Sequence, residues 1–543
     1  MPTCIEALRA CAKLIDCRDW PRVGRPAIPA PQDAITRARP TAAGTHVFDG
    51  APLGISRIAA LSDAPARGSL SPDRWQRVAR GREIVERVLA SGAPIYGATT
   101  GIGSQKDVGV GAAELAEFSD RMIVSEATVF PGATFEERVV RAALIVLINN
   151  LASGRMGVRR QLVEALLELL AAPRLPTVRR DAAFGTADLT PLSQLALPLI
   201  GRSLDGGPRL LATALHLAPK ESVSLIDNNS FALGEAALVL SAVERLLGAF
   251  DVAAAAACEG FRAGMQPHTQ SGAGGWRGAG QRRAQRKLEQ LLAGSALHRP
   301  GAARFLQDPL SFRAITQIHG AAYEAWDWAR TQVEAEINTA VDNPLVDLEA
   351  EQLLPSASMV SILPALSLDC LRQALAKAAI ASNERALKLQ SPPFSGLPVG
   401  LAREGAADGG VLSINLNYIG AARLGTLTAA AAPVLLNYIG STADGVEDVT
   451  SLLPLAISQT TTLVDRAWEM AALEMTIAVW AMARRQLQPP DLGHGPRLVH
   501  DALLPLLHIG EEGTRVFDMA AIVARVRHGD LMERALGRSP GGA

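Results

Sequence analysis

Asp181-Ala182-Ala183-Phe184-Gly185-Thr186-Ala187-Asp188-Leu189-Thr190-Pro191-Leu192-Ser193-Gln194-Leu195-Ala196-Leu197-Pro198-Leu199-Ile200-Gly201 is the stretch on which the fold turns. At its centre stands the triplet Gly185-Thr186-Ala187. Asp188-Leu189, Pro191-Leu192 and Leu195-Ala196-Leu197 follow it. On either side the chain reads as helix after helix. Ser71-Pro72-Asp73 sets a helix start, with Ser as N-cap and Pro in the first turn, and the helix runs through Arg74 to Leu89. Phe135 to Leu151 and Arg159 to Leu170 follow, the second stopped at Pro173. Ser230 to Phe261 is apolar nearly all round, which marks a central buried helix. Leu366 to Leu389 carries Leu368, Leu371, Leu375 and Ile380 at helical spacing, and Ser458 to Gln486 is another long helix. There is no βαβ alternation and no regular repeat. The architecture is mainly α, a bundle of long helices with irregular loops above it.

Composition narrows the function classes. The 543 residues exceed what one core usually fills. With 53 Lys+Arg against 54 Asp+Glu, the net charge is −1. That balance offers no long-range pull on nucleic acid or an anionic membrane. Hydrophobic residues make up 48% and aromatics 4%; the excess of Ala and Leu favours helix. Cys4, Cys11, Cys17, Cys258 and Cys370 are odd in number and irregular in spacing, against a disulfide framework. Without a Cys-x-x-Cys pair no metal site is expected, and reduced thiols suit a cytoplasmic protein. Arg9, Lys13 and Asp16 interrupt any secretory core. No apolar run reaches the roughly 18 residues of a membrane span. The longest candidate, Leu424 to Ile439, holds Pro433 and Asn437 and reads as a buried helix pair. Residues 1–48, with Pro/Arg-rich 21–40, read as an extension or linker. After it come an active-site region (49–225), a long-helix bundle (226–490) and a helical tail (491–543).

Gly-rich loops lie at Tyr96 to Gly103, Ser271 to Gly280 and Gly400 to Gly410. None has the pattern of a phosphate or dinucleotide cradle. In Tyr96-Gly97-Ala98-Thr99-Thr100-Gly101-Ile102-Gly103 the glycines permit a tight loop, with Tyr96 held at its start. A tyrosine can act as a general base when neighbours lower its pKa.

These stretches resemble the histidine and phenylalanine ammonia-lyases. In that family an Ala-Ser-Gly triplet cyclises and dehydrates to the electrophile 4-methylideneimidazole-5-one (MIO), within a stretch similar to 181–201. The tyrosine loop resembles the family's Tyr-Gly-x-Asn-Thr-Gly-Phe-Gly. Further matches follow in the family's order: Lys220-Glu221 to Leu225-Ile226-Asp227, Leu291 to Ser295, Gln307-Asp308-Pro309-Leu310-Ser311-Phe312-Arg313, Asn338 with Asp342-Asn343-Pro344-Leu345-Val346, and Gly445-Val446-Glu447-Asp448. Together they run from about residue 49 to 490. The resemblance implies a bundle of long central helices with a loop-rich N-terminal region carrying the active site, and a homotetramer whose sites draw on several subunits. It makes Tyr96 the base that takes the β-proton. Arg313 becomes the carboxylate clamp, whose guanidinium suits a bidentate pair. Gln307 and Glu447 then line the amine and cofactor side.

The departures cluster at that same site. Gly185-Thr186-Ala187 replaces Ala-Ser-Gly. Ring closure needs the amide nitrogen of the third residue to attack the carbonyl of the first, and Ala187 adds a Cβ at the crowded point. Dehydrated Thr186 would leave an ethylidene, less open to an amine than a methylidene. Asp227 and Thr99 stand where the family has asparagine, Leu310 where it has tyrosine, Val446 where it has glutamine, and Glu126 where histidine-lyases have histidine. Ser356 to Val360 replaces the family's Asn-Phe-His/Gln-Gly stretch. The sequence thus reads as a lyase-like enzyme without MIO. In it Tyr96, Thr186 and Glu447 are the catalytic candidates, and Arg313, Gln307, Asp227, Leu310 and Thr99 face a small-molecule substrate. A true ammonia-lyase or aminomutase with a ring at 185–187, and a non-catalytic scaffold, are the alternatives.

Overall fold

Ser71 does cap a helix. Its hydroxyl accepts from the Arg74 amide at 3.4 Å, and Pro72–Ala90 follows. The computed structural model describes residues 45–111, 113–180, 183–204, 206–272, 274–275, 278–402, 411–508 and 516–537. Cys4, Cys11, Cys17 and nearly all of the expected extension 1–48 lie outside the described residues. Cys258 and Cys370 are free thiols.

The helices expected from the apolar periodicity form, with ends shifted by a few residues: Glu137–Leu151, Arg160–Ala171, Ile362–Gln390 and Leu453–Arg484. Ser230–Phe261 spans the residues expected and is buried along almost its whole length. It packs against Leu453–Arg484, Glu137–Leu151 and Ile315–Ile337. Gly234 allows one of these approaches: a Cβ there would stand 2.6 Å from the Ala143 backbone nitrogen. Small residues at such crossings bring helix axes close and multiply dispersion contacts. Larger side chains such as Phe250, Tyr323 and Trp326 fill the remaining core, each burial of a Phe or Leu stabilising by roughly 1.5–3 kcal/mol.

Two expectations fail. A short parallel pair joins His46–Phe48 to Gly68–Leu70, with the helix Ile55–Ser62 between them. This is one βαβ crossover, in strands of three residues, too brief to give a period-2 signal. The segment Leu424 to Ile439 is not a buried helix pair. A helix Val411–Ala430 ends inside it. Beyond that helix Leu436 and Tyr438 stand 88% and 83% exposed. Pro433 stops the helix; Leu427 and Val434 are buried, whereas Leu436, Tyr438 and Ile439 have no cover among the described residues. Among the described residues no helix is long and apolar enough to cross a membrane.

Candidate active site

Tyr96 begins a loop that only glycine can close. Gly97 and Gly103 take φ of 66° and 56°, the left-handed region. A Cβ on Gly97 would lie 2.9 Å from Val223 of the helix Glu221–Ile226. The loop returns the Gly103 amide to the Tyr96 oxygen, to which it donates at 2.9 Å. Thr99 closes the base of the loop by accepting from the Ile95 amide at 2.7 Å.

A second loop meets the first. Thr442 and Glu447 pair through their backbones, and Ala443 abuts Gly103. One oxygen of the Glu447 carboxylate accepts from Thr442 at 2.9 Å and from the hydroxyl of Thr186 at 3.2 Å. The altered triplet is therefore tied to Glu447 directly.

The triplet is clamped on all sides. Phe184 and Gly185 offer their carbonyls to the hydroxyls of Thr450 (2.6 Å) and Ser451 (2.8 Å). The Asp188 amide donates to Asn228 at 2.9 Å. The Asp188 carboxylate accepts from the Ala232 amide at 2.8 Å, in the first turn of Ser230–Phe261. Gly185 and Ala187 both hold positive φ, 102° and 72°. At Ala187 this is a strained backbone for a residue with a Cβ. Its methyl is buried against Val341 and Met359. A Cβ on Gly185 would meet Ser451 Oγ at 2.5 Å and the Leu452 amide at 2.7 Å. The two small residues are thus fixed in their order: the alanine at 187 has a pocket, and an alanine at 185 does not.

Carboxylates crowd this end. Burial pushes the Asp227 carboxyl well up, and Asp342 and Glu447 push it further, against the pull of Lys220 and Asn343. Burial also raises Glu126, helped by Glu447. The Tyr96 phenol rises for the same reasons: burial first, then Asp227, Glu447 and Glu126, with only the Gly103 amide pulling it down. Lys220, the cation of this interior, is already engaged: fully buried, it pairs with Asp342 at 2.6 Å. Each of Lys220, Asp342 and Glu126 was visible as a motif residue or a departure, but their meeting was not. The Thr442 hydroxyl carried no sequence signal.

Arg313, Gln307 and Leu310 lie elsewhere. Phe312, next to Arg313, stacks on Phe261 with ring centroids 4.1 Å apart. The triplet is anchored to Ala232 of the same helix. Ala232 and Phe261 are 29 residues apart, roughly 44 Å at 1.5 Å per residue. A second ruler agrees. Ser361, bonded to Asn229 beside the triplet, and Arg385, bonded to the Ser311 carbonyl, are 24 residues apart, roughly 36 Å. Arg313 donates to the Asp308 carbonyl at 2.6 Å; Gln307 and Leu310 are exposed. Within one chain, Tyr96, Thr99, Thr186, Asp227 and Glu447 come together, and Arg313, Gln307 and Leu310 do not join them. Among the described residues no cluster of His, Cys, Asp or Glu could hold a metal ion.

The family model for aromatic amino acid lyase matches residues 53–504. Histidine ammonia-lyase of Stigmatella aurantiaca is 30% identical over 501 residues, covering 89% of this chain and 97% of that protein. Among solved structures, the ergothioneine-degrading ergothionase of Treponema denticola superposes with a TM-score of 0.82 at 23% identity, covering 91% of this chain and 99% of the other. The phenylalanine aminomutase of Pantoea agglomerans does so with a TM-score of 0.81 at 21% identity, covering 91% and 99%.

Proposed function

The chain belongs to the aromatic amino acid lyase family, the carbon–nitrogen lyases, and on that premise we propose an elimination or conjugate addition that proceeds without MIO. The substrate is a small carboxylate, or a molecule already activated by a carbonyl. Tyr96 is the general base, Glu447 orients Thr186, and Arg313 from another copy of the chain holds the carboxylate.

The observation that carries this reading is the clamped triplet. MIO would require the Ala187 nitrogen to close on the Gly185 carbon. The Ala187 methyl is packed against Val341 and Met359, and the neighbouring Asp188 amide is held by Asn228. These contacts weigh against the ring, and no step here passes through it. Without that electrophile the β-proton of a free amino acid is too weakly acidic for a tyrosine to remove. A carbonyl or conjugated system in the substrate then has to supply the acidity.

The carboxylate-rich surroundings set the resting state of Tyr96. With its pKa raised it is a phenol at neutral pH. To accept a proton it needs a cation nearby, which stabilises the phenolate. The ammonium of an amine substrate or the guanidinium of a second copy's Arg313 would serve. This favours a site completed by assembly, in keeping with the homotetramer that the family resemblance implies. Exposed Leu306, Leu310, Leu436 and Tyr438 supply apolar surface for such contacts.

One observation favours the alternative, a ring at 185–187. The left-handed turns at Gly185 and Ala187 bend the loop back on itself, and Ser451 polarises the Gly185 carbonyl. The intact mass separates the two. The proposal expects the full sequence mass; a deficit of two waters establishes the ring and ends it. Tyr96→Phe tests the base. Turnover of α,β-unsaturated acids with ammonia, or the reverse elimination, should fall roughly 10²–10⁴-fold. An unchanged rate removes the base assignment; a wild-type chain that turns over none of these substrates leaves the scaffold reading.

A further inference from the structure

A pocket of about 530 Å³ lies outside the chemistry described above. It opens between residues 174–177, residues 200–204 and 207–210, and the last turn of the helix Leu189–Ala196. Its size falls within the roughly 300–1,000 Å³ of small-molecule sites. Arg174, Arg202 and Arg209 line it, and among the described residues no carboxylate does. None of these three guanidinium groups has an ion pair or hydrogen bond to a described residue. Elsewhere the chain pairs its arginines readily: Arg159 with Glu221, Arg180 with Glu235, Arg385 with Glu474. The rest of the lining is largely apolar, with Leu175, Pro176 and Leu210 forming part of the wall.

We propose that this pocket binds a small organic phosphate, with the phosphoryl group on Arg174, Arg202 and Arg209 and the organic body against Leu175, Pro176 and Leu210. Guanidinium groups take phosphate oxygens in pairs. Three of them facing one cavity leave an excess of positive charge that a dianion offsets better than a monoanion. The apolar wall has no use for a bare inorganic ion. Gln194 ties the site to the rest of the fold. Its carbonyl accepts from the Arg179 amide and its amide donates to the Thr128 carbonyl, both at 2.8 Å. It sits on the helix that follows the triplet, so an occupant rests against the element that positions residues 185–187. The pocket is independent of whether those residues form a ring.

Titration calorimetry on the full chain tests this with AMP, adenosine and pyrophosphate at low salt. AMP is expected to bind once per chain with Kd below about 1 mM, weakening steeply as salt is added. Adenosine is expected to bind at least about tenfold more weakly, because it lacks the phosphoryl group. Pyrophosphate should also be weaker than AMP, because it lacks the body. The triple variant Arg174→Gln, Arg202→Gln, Arg209→Gln should lose at least about tenfold for AMP, and Arg202→Gln alone about threefold. The single change, at an exposed position, keeps the test open if the triple variant fails to fold. No binding of AMP at millimolar concentration, adenosine binding as well as AMP, pyrophosphate matching AMP, or Arg202→Gln binding as wild type would each overturn the proposal.

Discussion

The two ends of the helix Ser230–Phe261 are opposites. Around its first turn lie Asp188, Asp227, Glu126 and Glu447, with Lys220 already spent on Asp342. Around its last turn lie Arg262, Arg304 and Arg485, with Arg313 close by. Burial and the neighbouring Arg304 and Arg262 push the Arg485 guanidinium down to about 10. Carboxylates outnumber cations at the first end, where Arg180 is paired with Glu235; at the other the arginines crowd together beside the buried Glu259 and Asp308. The distance between the two ends, roughly 44 Å along the helix, keeps the Arg262–Arg304–Arg485 group from the Asp227–Glu447 group within one chain. Copies packed end against end would bring the two together, and complementary charge of this kind sets the register of an assembly.

Tyr96→Phe should cost roughly 10²–10⁴ in kcat/KM, and Arg313→Ala roughly 10²–10³, since a bidentate carboxylate clamp is lost. If each site takes its phenol from one copy and its guanidinium from another, the two dead variants should rescue each other. Refolding an equal mixture should give roughly a quarter of the wild-type activity, the chance that a site draws both intact groups. Mixed assemblies as dead as their parents would mean that the two residues act within one chain, which the helix length excludes, or that Arg313 has no part in the site.

How much of this was legible beforehand follows from the range of each signal. Ser71 and Pro72 act on their own helix end, and the Ser230–Phe261 pattern repeats over many turns. Both were read correctly because their causes are local. The tyrosine loop and the triplet were readable as motifs. Their joint attachment to Glu447 was not, because Thr186 and Glu447 are 261 positions apart. Leu424 to Ile439 was misread for a different reason. Apolar composition says that a surface will be covered, not which chain covers it. Arg313 was placed with Tyr96 by resemblance, and a linear sequence carries no sign that the bundle would separate them.

A glycine stands in a left-handed turn at each end. Gly185 and Gly301 both hold positive φ, 102° and 77°. Only Gly185 is enclosed, with Ser451 and Leu452 where a Cβ would go; around Gly301 there is open space. Alanine at 301 should cost about 1 kcal/mol, the left-handed strain alone. Alanine at 185 should cost about 2–4 kcal/mol, because overpacking adds to the strain. Urea denaturation of the two variants measures the difference. Equal costs would mean that the triplet is less tightly held than its hydrogen bonds indicate, and the case against a ring would weaken with it.

The smallest effect concerns the charge itself. Asp227 has a folded pKa well above its ordinary value, and burial brings Asp188 to about 7. The folded chain thus binds these protons more tightly than the unfolded chain does. The stabilisation is complete below about pH 4, where both states are protonated. It is lost as the pH rises through the raised values, so the melting temperature should fall between about pH 5 and pH 8. Asp227→Asn removes one of the two groups and its repulsion toward Asp342 and Glu447. At pH 8 it should raise stability by about 1–2 kcal/mol and flatten the pH dependence. At pH 5 the variant and the wild type should nearly coincide. The same change also relieves the Tyr96 phenol of its strongest carboxylate neighbour, so its titration, followed by ultraviolet absorbance, should move downward. A stability gain without that movement would put Asp227 too far from Tyr96 to shape the acidic end, and Glu447 and Glu126 alone would then set the phenol's charge state.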